Sequence, residues 1–504
     1  MKNVLSKNIF ISLLLQIVTI ISGFLTPKII LSYFGSETNG LVSSINQLLN
    51  YIQLIEGGLG SVMVAALYKP LSEKNTEKIN GILNSANSFF KKIALIYVIY
   101  TIVIGIVYPK IVHTEFSNTY IFLLVLVLSM NLFVQYFFSI TFKLLLTADR
   151  KLFVVYCTQI LSLILNICNV LLCSKFFADI LVMKTFAIFI FLITPLIYSI
   201  YIKKHYSLDK KIPKDNESLK SRWNGFGINL AYFIHCNTDI VILTIFTSLS
   251  DVSVYAIYSM IVLAVKGIVM SISNAITPSF GNILSKGNQI ESNKAFDLYE
   301  FAICFVSVII FSCSIILITP FISVYTRNIV DADYFKPLFG VLLVISEMIY
   351  CLRDPYVSAS YSAGHFKQVS KYAYGEAIIN ILISISLVRK FGLVGVTIGT
   401  IAGMLFRYIT QAVYLQKNIL NRSWYKTVKV FVFISVIFPP IFLFERKFIS
   451  MKLDSYFNWL LMGVAVFFII TVYTSLLSFL FYRKEFSHLI WSRFRINDKN
   501  NRRI

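Results

Sequence analysis

The sequence predicts an all-α, polytopic membrane protein with roughly fourteen transmembrane helices. Its 504 residues are 57% hydrophobic and only 14% charged, and the mean hydropathy of +0.74 lies far above the range of soluble domains. The longest polar stretches, residues 203–222 and 483–504, are each about twenty residues long, too short to bury a core of their own. Any function must therefore lie within the membrane helices.

Apolar runs of membrane-crossing length follow one another along almost the whole chain. At a rise of 1.5 Å per residue, about 20 residues cross the hydrocarbon core, and several runs are longer, which predicts tilted or projecting helices. The predicted segments are residues 9–34, 39–68, 93–110, 119–146, 152–175, 179–202, 224–248, 251–280, 299–325, 336–360, 372–389, 392–416, 428–444 and 456–482.

A basic stretch after the sixth segment is the natural boundary between two groups of six helices. A weak repeat supports this division, because Leu71-Ser72-x-x-Asn75 recurs as Leu284-Ser285-x-x-Asn288 after the second helix of the second group. The repeat would be parallel, about the membrane normal. The predicted organisation is an N-lobe at 1–202 (helices 1–6), a basic cytoplasmic linker at 203–222, a C-lobe at 223–416 (helices 7–12), two extra helices (13 and 14) at 417–482 and a basic cytoplasmic tail at 483–504.

Positive charge in the loops predicts the orientation. Counted alternately, about 33 Lys and Arg fall on one side and about 9 on the other, so we expect both termini to be cytoplasmic in a bacterial cytoplasmic membrane. The formal net charge of +22 is explained by loops that face an anionic leaflet, which argues against a nucleic-acid partner. The seven cysteines lie in apolar segments without metal-ligand spacing, so we predict neither a disulfide framework nor a metal or other cofactor.

Polar side chains at spacings of three and four mark one face of segments 1, 2, 7 and 8. Such a face must meet protein or water, because acyl chains cannot satisfy its hydrogen bonds. Since these are the first two helices of each predicted lobe, we expect them to line a cleft between the lobes, where Asn50 and Gln53 would contact a substrate. Tight helix packing through small and polar residues is the alternative.

Charged residues inside the apolar segments are costly and need an explanation. Lys266 and Arg407 lie near the middle of the bilayer, and Lys28 lies nearer the external end of its helix. We predict that these three cations bind an anionic substrate group such as a phosphate. The alternative is structural pairing with carboxylates at similar depth.

Four other ionisable residues form a predicted ion-coupling set. His235 and Asp239 lie four residues apart on one helix face, so they could exchange protons with a cleft and couple transport to an H⁺ or Na⁺ gradient. Glu56 and Glu347 lie at similar depth. Glu56, Asp239 and Glu347 are also the candidates for structural pairing with the buried cations.

Four stretches spread over nearly the whole chain carry a family resemblance. They are Pro27-Lys28-Ile29-Ile30-Leu31 followed by Gly35-x4-Gly40-Leu41, the run Glu56-Gly57-Gly58-Leu59-Gly60, Asn237-Thr238-Asp239 with Val254-Tyr255, and Glu376-Ala377-Ile378-Ile379-Asn380 through Leu387-Val388 to Gly392-x2-Gly395-x3-Gly399-Thr400. In these stretches the chain resembles the bacterial oligosaccharide-unit flippases, the polysaccharide transporters of the multidrug/oligosaccharidyl-lipid/polysaccharide exporter (MOP) superfamily.

The resemblance implies two six-helix lobes around a central cavity, with two C-terminal helices in some members. It implies alternating access that moves undecaprenyl-diphosphate-linked oligosaccharide units from the inner to the outer leaflet for capsule, O-antigen or similar synthesis. No covalent chemistry is expected, and the expected partners are membrane lipids, a polysaccharide polymerase and glycosyltransferases, with the protein a monomer. Cavity-lining cations such as Lys28 and Lys266 would receive the diphosphate, although this chain also places several carboxylates at similar depth.

Two other functions remain open. A cation-coupled multidrug exporter of the same superfamily would use Asp239, Glu56 and Glu347 to bind an organic cation. Fourteen segments rather than twelve, and the stretch from Glu376 to Thr400, favour the flippase. A membrane polymerase or glycosyltransferase would need an external catalytic loop, and the predicted external loops are short.

Overall fold

A computed structural model describes residues 2–56, 59–177, 179–215, 217, 237–449 and 453–487. Throughout these residues the regular structure is helical, with no β-strand, which confirms the predicted all-α membrane fold. The chain divides into two compact units, Met1–Ser253 and Val254–Ile504. The first unit thus includes the helix Asn237–Phe246, which the sequence analysis assigned to the C-lobe.

Ten of the described helices are long and apolar enough to cross a membrane. One of them, Phe366–Leu420, contains two predicted segments, and another, Phe10–Asn50, contains nearly all of the first segment and the beginning of the second. The helix Pro337–Ser362 is not among the ten because it contains three charged residues, Glu347, Arg353 and Asp354, and the seventh segment is described only from Asn237 onward. With these helices included, each predicted segment has a helical counterpart.

The first unit contains nine of the described helices, and α1 is broken at Gly35. Its helices are α1 (Lys2–Asn50), α2 (Gln53–Glu56), α3 (Leu59–Ser72), α4 (Thr76–Ile111), α5 (Asn118–Val134), α6 (Ile140–Ala148), α7 (Leu152–Phe176), α8 (Ile180–His205) and α9 (Asn237–Phe246), and a π-helical stretch, Gln135–Ser139, joins α5 to α6. Its core includes Leu41, Met63, Phe90, Leu124 and Leu145.

The second unit contains six described helices, the first of which begins just before the unit boundary. They are α10 (Leu249–Ser285), α11 (Gln289–Tyr325), α12 (Pro337–Ser362), α13 (Phe366–Leu415), α14 (Tyr425–Ile449) and α15 (Tyr456–Phe481), with a second π-helical stretch at Gln416–Leu420. Large aromatic side chains dominate its interior, among them Phe296, Phe311, Phe339, Tyr356 and Tyr408.

Glycine breaks both of the longest helices where the sequence predicts a boundary between segments. Gly35 in α1 has φ 81° and Gly392 in α13 has φ 52°, a region of backbone conformation that side chains with a Cβ rarely adopt. The predicted boundaries were at residues 34–39 and 389–392. The two positions therefore end one membrane segment and begin the next.

The two loops of the weak internal repeat have the same local structure. Lys74 and Gly287 both have positive φ, at 55° and 72°, and each is followed by an asparagine that caps the next helix. The Asn75 side chain accepts a hydrogen bond from the backbone N–H of Lys78, and the Asn288 side chain accepts from that of Glu291. The repeated Asn is therefore a helix N-cap in both units.

The start of α14 is joined to α11 by a largely buried charge cluster. Arg422, 8% exposed, forms ion pairs with Asp297 at 2.8 Å and with Glu300. Lys426 pairs with Asp297, and Tyr356 donates a hydrogen bond to Glu300. Two cations face two carboxylates, so the cluster is formally neutral and fixes the start of α14 against α11.

Candidate functional site

A carboxylate held between two arginines lies at the centre of the second unit. Arg353 Nη1 is 2.7 Å from Glu376 Oε1, and Arg407 Nη1 is 2.6 Å from Glu376 Oε2. All three side chains are buried, and the Glu376 side chain is 1% exposed. Arg407, which was predicted to bind substrate, thus has an ion-pair partner that the sequence analysis did not assign to it.

A second ion pair involves α12, near Arg353. Lys266 Nζ is 2.8 Å from Glu347 Oε2 and 3.5 Å from the centroid of the Tyr350 ring. The next residue after Arg353, Asp354, accepts hydrogen bonds from Ser273 and, at 3.4 Å, from Ser358. The Lys266–Glu347 pair is the structural pairing that the sequence analysis kept as an alternative to substrate binding.

The charged groups described around α12 balance one another. The cations are Lys266, Arg353 and Arg407, and the carboxylates are Glu347, Asp354 and Glu376. Three charges of each sign give a formal charge of zero for this group, which we call the unit-2 charge cluster. In an apolar interior, such mutual neutralisation offsets much of the cost of burying ionised side chains.

Close helix packing in α13 holds this cluster in place. A Cβ on Gly403 would lie 2.7 Å from the carbonyl oxygen of Glu376, and one on Gly399 would lie 2.7 Å from the backbone nitrogen of Ser384. The two halves of α13 therefore pack backbone to backbone, as small residues spaced by four allow in membrane helices. This contact brings Glu376 on the first half opposite Arg407 on the second.

In the first unit, polar pairs join α9 and the start of α10 to α1. Asn39 donates a hydrogen bond to Ser253 at 2.7 Å, Ser44 pairs with Thr244 at 2.7 Å, and Gln47 donates to Asn237. The pairing residues in α1 are not those of the predicted polar face, which included Asn50 and Gln53. The Asn50 side chain instead accepts a hydrogen bond from Gln53 at 3.1 Å.

The remaining predicted ion-coupling residues lie apart from the unit-2 charge cluster in the chain. Glu56 ends the single turn of α2 and accepts a hydrogen bond from Tyr136 at 3.3 Å. Asp239 is 5% exposed on α9, and Lys28 is half-buried in α1. His235 lies outside the described residues, so its proposed pairing with Asp239 stays a prediction.

Several polar side chains stay exposed deep within membrane-length helices. In the first unit these are Gln16 and Thr19 on the first half of α1, Asn46 on the second half, and Gln53. In the second unit Ser271 and Asn274 are exposed on α10. At 1.5 Å per residue each lies roughly 9 Å or more from the end of its predicted segment. Gln53 donates a hydrogen bond to Asn50, and Ser271 donates one to the carbonyl oxygen of Gly267. A lipid environment would leave the other four groups unsatisfied, so those four face water or a polar ligand.

Sequence reasoning missed four residues that the structure connects to the predicted site. Glu376 and Asn237 were named only in stretches that carry the family resemblance, and Arg353 and Gln47 were given no role. The signal for Glu376 was the glycine spacing at 395, 399 and 403, which indicates close packing of the following helix. Within the described residues no group of three His, Cys, Asp or Glu side chains is placed to hold a metal ion.

Comparison with known proteins identifies the fold. No protein-family model matches the chain, and no curated protein matches it by sequence. Among solved structures, the lipid II flippase MurJ in an inward closed conformation aligns with a TM-score of 0.70 and 16% identity, over 94% of this chain and 98% of MurJ.

Multidrug exporter structures also align with this chain. An inward-facing multidrug resistance MATE family transporter of the MOP superfamily has a TM-score of 0.64 and 15% identity, over 80% of this chain and 94% of its own. The MATE multidrug transporter DinF-BH has a TM-score of 0.60 and 16% identity, over 84% of this chain and 97% of its own. The chain therefore has the fold shared by MOP-superfamily flippases and exporters.

Proposed function

We propose that the protein is a flippase that moves undecaprenyl-diphosphate-linked oligosaccharide units across the bacterial cytoplasmic membrane by alternating access. The observation that carries this proposal is the set of exposed polar side chains at membrane depth on α1, Gln53 and α10. A protein that only anchored itself in lipid would have no use for exposed amides there, because an unsatisfied polar group is costly in hydrocarbon. A hydroxyl-rich substrate crossing the membrane would satisfy them.

The extent of the fold likeness also supports a lipid-linked substrate. The MurJ structure, whose name describes a lipid II flippase, covers 94% of this chain, whereas the two MATE structures cover 80% and 84%. Two helices, α14 and α15, follow the twelve predicted helices of the two lobes. A larger share of this chain therefore has a counterpart in a flippase than in the drug exporters.

In this proposal each predicted cation exchanges its carboxylate partner for an anionic group of the substrate. Lys266 is paired with Glu347, so an anionic substrate group can bind Lys266 only when the carboxylate leaves or is neutralised. Protonation of Glu347 would do so, which links an H⁺ gradient to the affinity for a diphosphate. In the same way, Arg407 would release Glu376 and bind the substrate anion instead. Lys28, Asn50 and Gln53 would make additional contacts with the substrate.

The cellular setting follows from the same proposal. The protein would be a multi-pass protein of the cytoplasmic membrane with both termini in the cytoplasm, acting between glycosyltransferases and a polysaccharide polymerase. It would carry out no covalent chemistry.

A cation-coupled multidrug exporter is the second candidate. The MATE likeness and the buried carboxylates Glu56 and Asp239 favour it. The pairing of Glu347 with Lys266 counts against it, because an organic cation needs a carboxylate that is not already neutralised.

Complementation separates the two functions. The chain is expressed in a bacterium whose surface-polysaccharide flippase is deleted, and in a second strain that lacks its multidrug exporters. We expect surface glycan to return in the first strain and the resistance of the second to cationic drugs to stay unchanged. The double variant Asn50→Leu/Gln53→Leu should reduce glycan several-fold at equal protein level, whereas Asn118→Leu, an exposed amide at the start of α5, should not. Drug resistance without glycan would overturn the flippase.

A further inference from the structure

A cavity of about 410 Å³ with several polar side chains in its lining lies in the first unit, between α1, the α5–α6 helix, α7 and α8. Its volume falls in the range of roughly 300–1,000 Å³ that small-ligand sites occupy. It is lined by Leu15, Thr19, Asn131, Val134, Gln135, Ser139, Lys143, Gln159, Ser162, Leu163, Phe191, Thr194 and Tyr198. None of the residues predicted as a site lines it.

The polar groups on one wall of the cavity come from a single helical ladder. The residues in it are spaced by four: Asn131, Gln135, Ser139 and Lys143. In a regular α-helix, each step of four residues rotates the side chain by about 40° more than a full turn, so the four would drift around the helix. The π-helical stretch Gln135–Ser139 holds more residues per turn and reduces this drift, so all four line the same cavity. Stretches of π-helix inside α-helices are frequent at functional sites.

Four of the polar side chains that line the cavity lack a protein partner. Within the described residues, the side-chain amides of Asn131, Gln135 and Gln159 make no hydrogen bond, and the Lys143 ammonium makes no hydrogen bond or ion pair within 4 Å. Ser162 and Thr194, by contrast, contact each other at 3.3 Å. Unpaired amides and an ammonium within membrane helices need water or a ligand to offset their desolvation.

The charge of the cavity lining selects the ligand. Among the described residues that line the cavity, Lys143 is the one with a charge, and none carries a carboxylate. Glu56 is near enough for its charge to interact with Lys143, but its carboxylate accepts a hydrogen bond from Tyr136 and does not line the cavity. The site therefore disfavours organic cations and favours a group with one negative charge.

The neutral groups indicate what surrounds that negative charge. Three amides offer paired donors and acceptors, the hydroxyls of Thr19, Ser139 and Tyr198 offer more, and Phe191 offers an apolar ring face. A bare inorganic anion would leave most of these groups unused. A sugar ring has hydroxyls at its edge and an apolar C–H face, and it uses both kinds of contact.

We propose that this cavity is a saccharide subsite, in which Lys143 binds an acidic group of the glycan and the amides of Asn131, Gln135 and Gln159 bind its hydroxyls. The inference rests on the proposed flippase function and deepens it, since it assigns the acidic sugar of a lipid-linked oligosaccharide to the first unit. The cavity lies toward the predicted cytoplasmic end of the helices, because Lys143 is five residues, or roughly 7.5 Å, from the end of α6. This is the side from which such a substrate would enter.

Direct binding of free sugars tests the subsite. The full chain is placed in phosphatidylcholine nanodiscs, and its dissociation constants for D-glucuronic acid and D-glucose are measured; these sugars differ only in a carboxylate at C6. Because hydrogen bonds to charged groups are stronger than neutral ones, we expect about tenfold tighter binding of the acid. Lys143→Gln should abolish this preference and leave the glucose constant within about twofold, and Lys143→Arg should keep it.

Two further variants separate the pocket from general effects of charge. Gln159→Leu should weaken both sugars, since it removes a neutral contact. Lys92→Gln, at an exposed lysine of α4 outside the cavity, should change neither. A wild-type protein without preference for the acid, or a Lys143→Gln variant that keeps the preference, would overturn the subsite.

A lipid head group is the competing source of negative charge, and lysines near helix ends can also reach toward head groups. The measurement is therefore repeated in nanodiscs that contain phosphatidylglycerol. If the wild type still binds glucuronic acid in these nanodiscs, the result supports the saccharide subsite. If phosphatidylglycerol abolishes binding by the wild type but does not change the weaker binding by Lys143→Gln, the cavity is a lipid site and the proposal is overturned.

Failure of the subsite and failure of the flippase are distinguishable, because free sugars need no translocation. A chain that restores surface glycan but binds glucuronic acid equally with and without Lys143 would lose the subsite alone. A chain that binds the acid through Lys143 but restores no glycan would lose the flippase alone.

Discussion

Lys266 in the second unit and Lys143 in the first are both lysines on membrane-length helices, yet their surroundings differ. Lys266 has Glu347 at 2.8 Å and the Tyr350 ring beneath it, within a formally neutral cluster. Lys143 lines a cavity in which the described residues include unpaired amides and no carboxylate. Charge within the membrane is therefore not by itself evidence of a ligand site. A paired charge contributes to the fold, whereas an unpaired polar group needs something from outside the protein.

The largest loss of stability is expected when the carboxylate between the two paired arginines is replaced. Glu376→Gln leaves Arg353 and Arg407 buried without a carboxylate, and removing one partner from a buried charge network costs about 3–5 kcal/mol. We expect a much lower thermal unfolding midpoint in detergent and little monodisperse protein. Glu291→Gln, at an exposed position in the first turn of α11, is the control. A midpoint equal to that of the wild type would show that the two arginines are satisfied by something other than Glu376.

A double-mutant cycle tests whether Lys266 and Glu347 stabilise the fold as a pair. Lys266→Met alone leaves a nearly buried carboxylate unpaired and should cost about 2–3 kcal/mol. The double variant Lys266→Met/Glu347→Met should be more stable than either single variant, because no unpaired charge remains. The thermal unfolding midpoints of the three variants measure this. Additive losses would show that the two side chains act independently, and transport lost in a stable double variant would support the proposed exchange at Lys266.

A smaller effect is expected at the glycine contact that positions Glu376 and Arg407. A methyl group at position 399 would lie 2.7 Å from the nitrogen of Ser384 and 2.9 Å from the oxygen of Asn380, both backbone atoms that cannot rotate away. Gly399→Ala should therefore destabilise the protein by about 1–2 kcal/mol. Gly267→Ala is the matched control, since nothing lies within 4 Å of its added Cβ. Equal unfolding midpoints for the two variants would contradict close packing within α13.

The smallest effect is expected on the unpaired side of the comparison. Lys143→Gln removes no hydrogen bond or close ion pair to a described residue, so the free energy of unfolding should change by less than about 0.5 kcal/mol, as for most substitutions away from buried networks. Binding of glucuronic acid should nevertheless lose its preference over glucose. Strong destabilisation by Lys143→Gln would mean that Lys143 has a structural role, and the contrast with Lys266 would disappear.

Some helix boundaries were predictable from local chemistry. Gly35 and Gly392 end membrane segments because their positive φ excludes most other residues. The helices that Asn75 and Asn288 cap begin at Thr76 and Gln289, well before the predicted segments 93–110 and 299–325, so these two starts were not predicted. Depth along a helix was predictable for Lys266 and Glu347, since the rise per residue is constant. Pairing of Lys266 with Glu347 was one of several alternatives, and the sequence could not choose among them because the candidate carboxylates belong to different helices far apart in the chain.

The polar faces show that helical spacing alone does not identify the side chains that make contacts between helices. Spacing selected Asn50 and Gln53 in the second segment, but the contacts to α9 and α10 come from Asn39, Ser44 and Gln47. It also missed the ladder from Asn131 to Lys143, because a period of four fits a regular α-helix poorly and becomes a single face only with the π-helical stretch. Local deviations of the backbone therefore decided which side chains meet.

Hydropathy and glycine act through neighbouring residues, so the order of the amino acids was enough to predict a bundle of membrane helices, the main breaks in those helices and the presence of charge at membrane depth. That Lys266 and Arg407 face carboxylates while Lys143 faces an open cavity emerged from the folded structure alone. Both outcomes depend on which helices pack together, and the cost of an ionised group in an apolar interior is set by the atoms within a few ångströms rather than by its place in the chain.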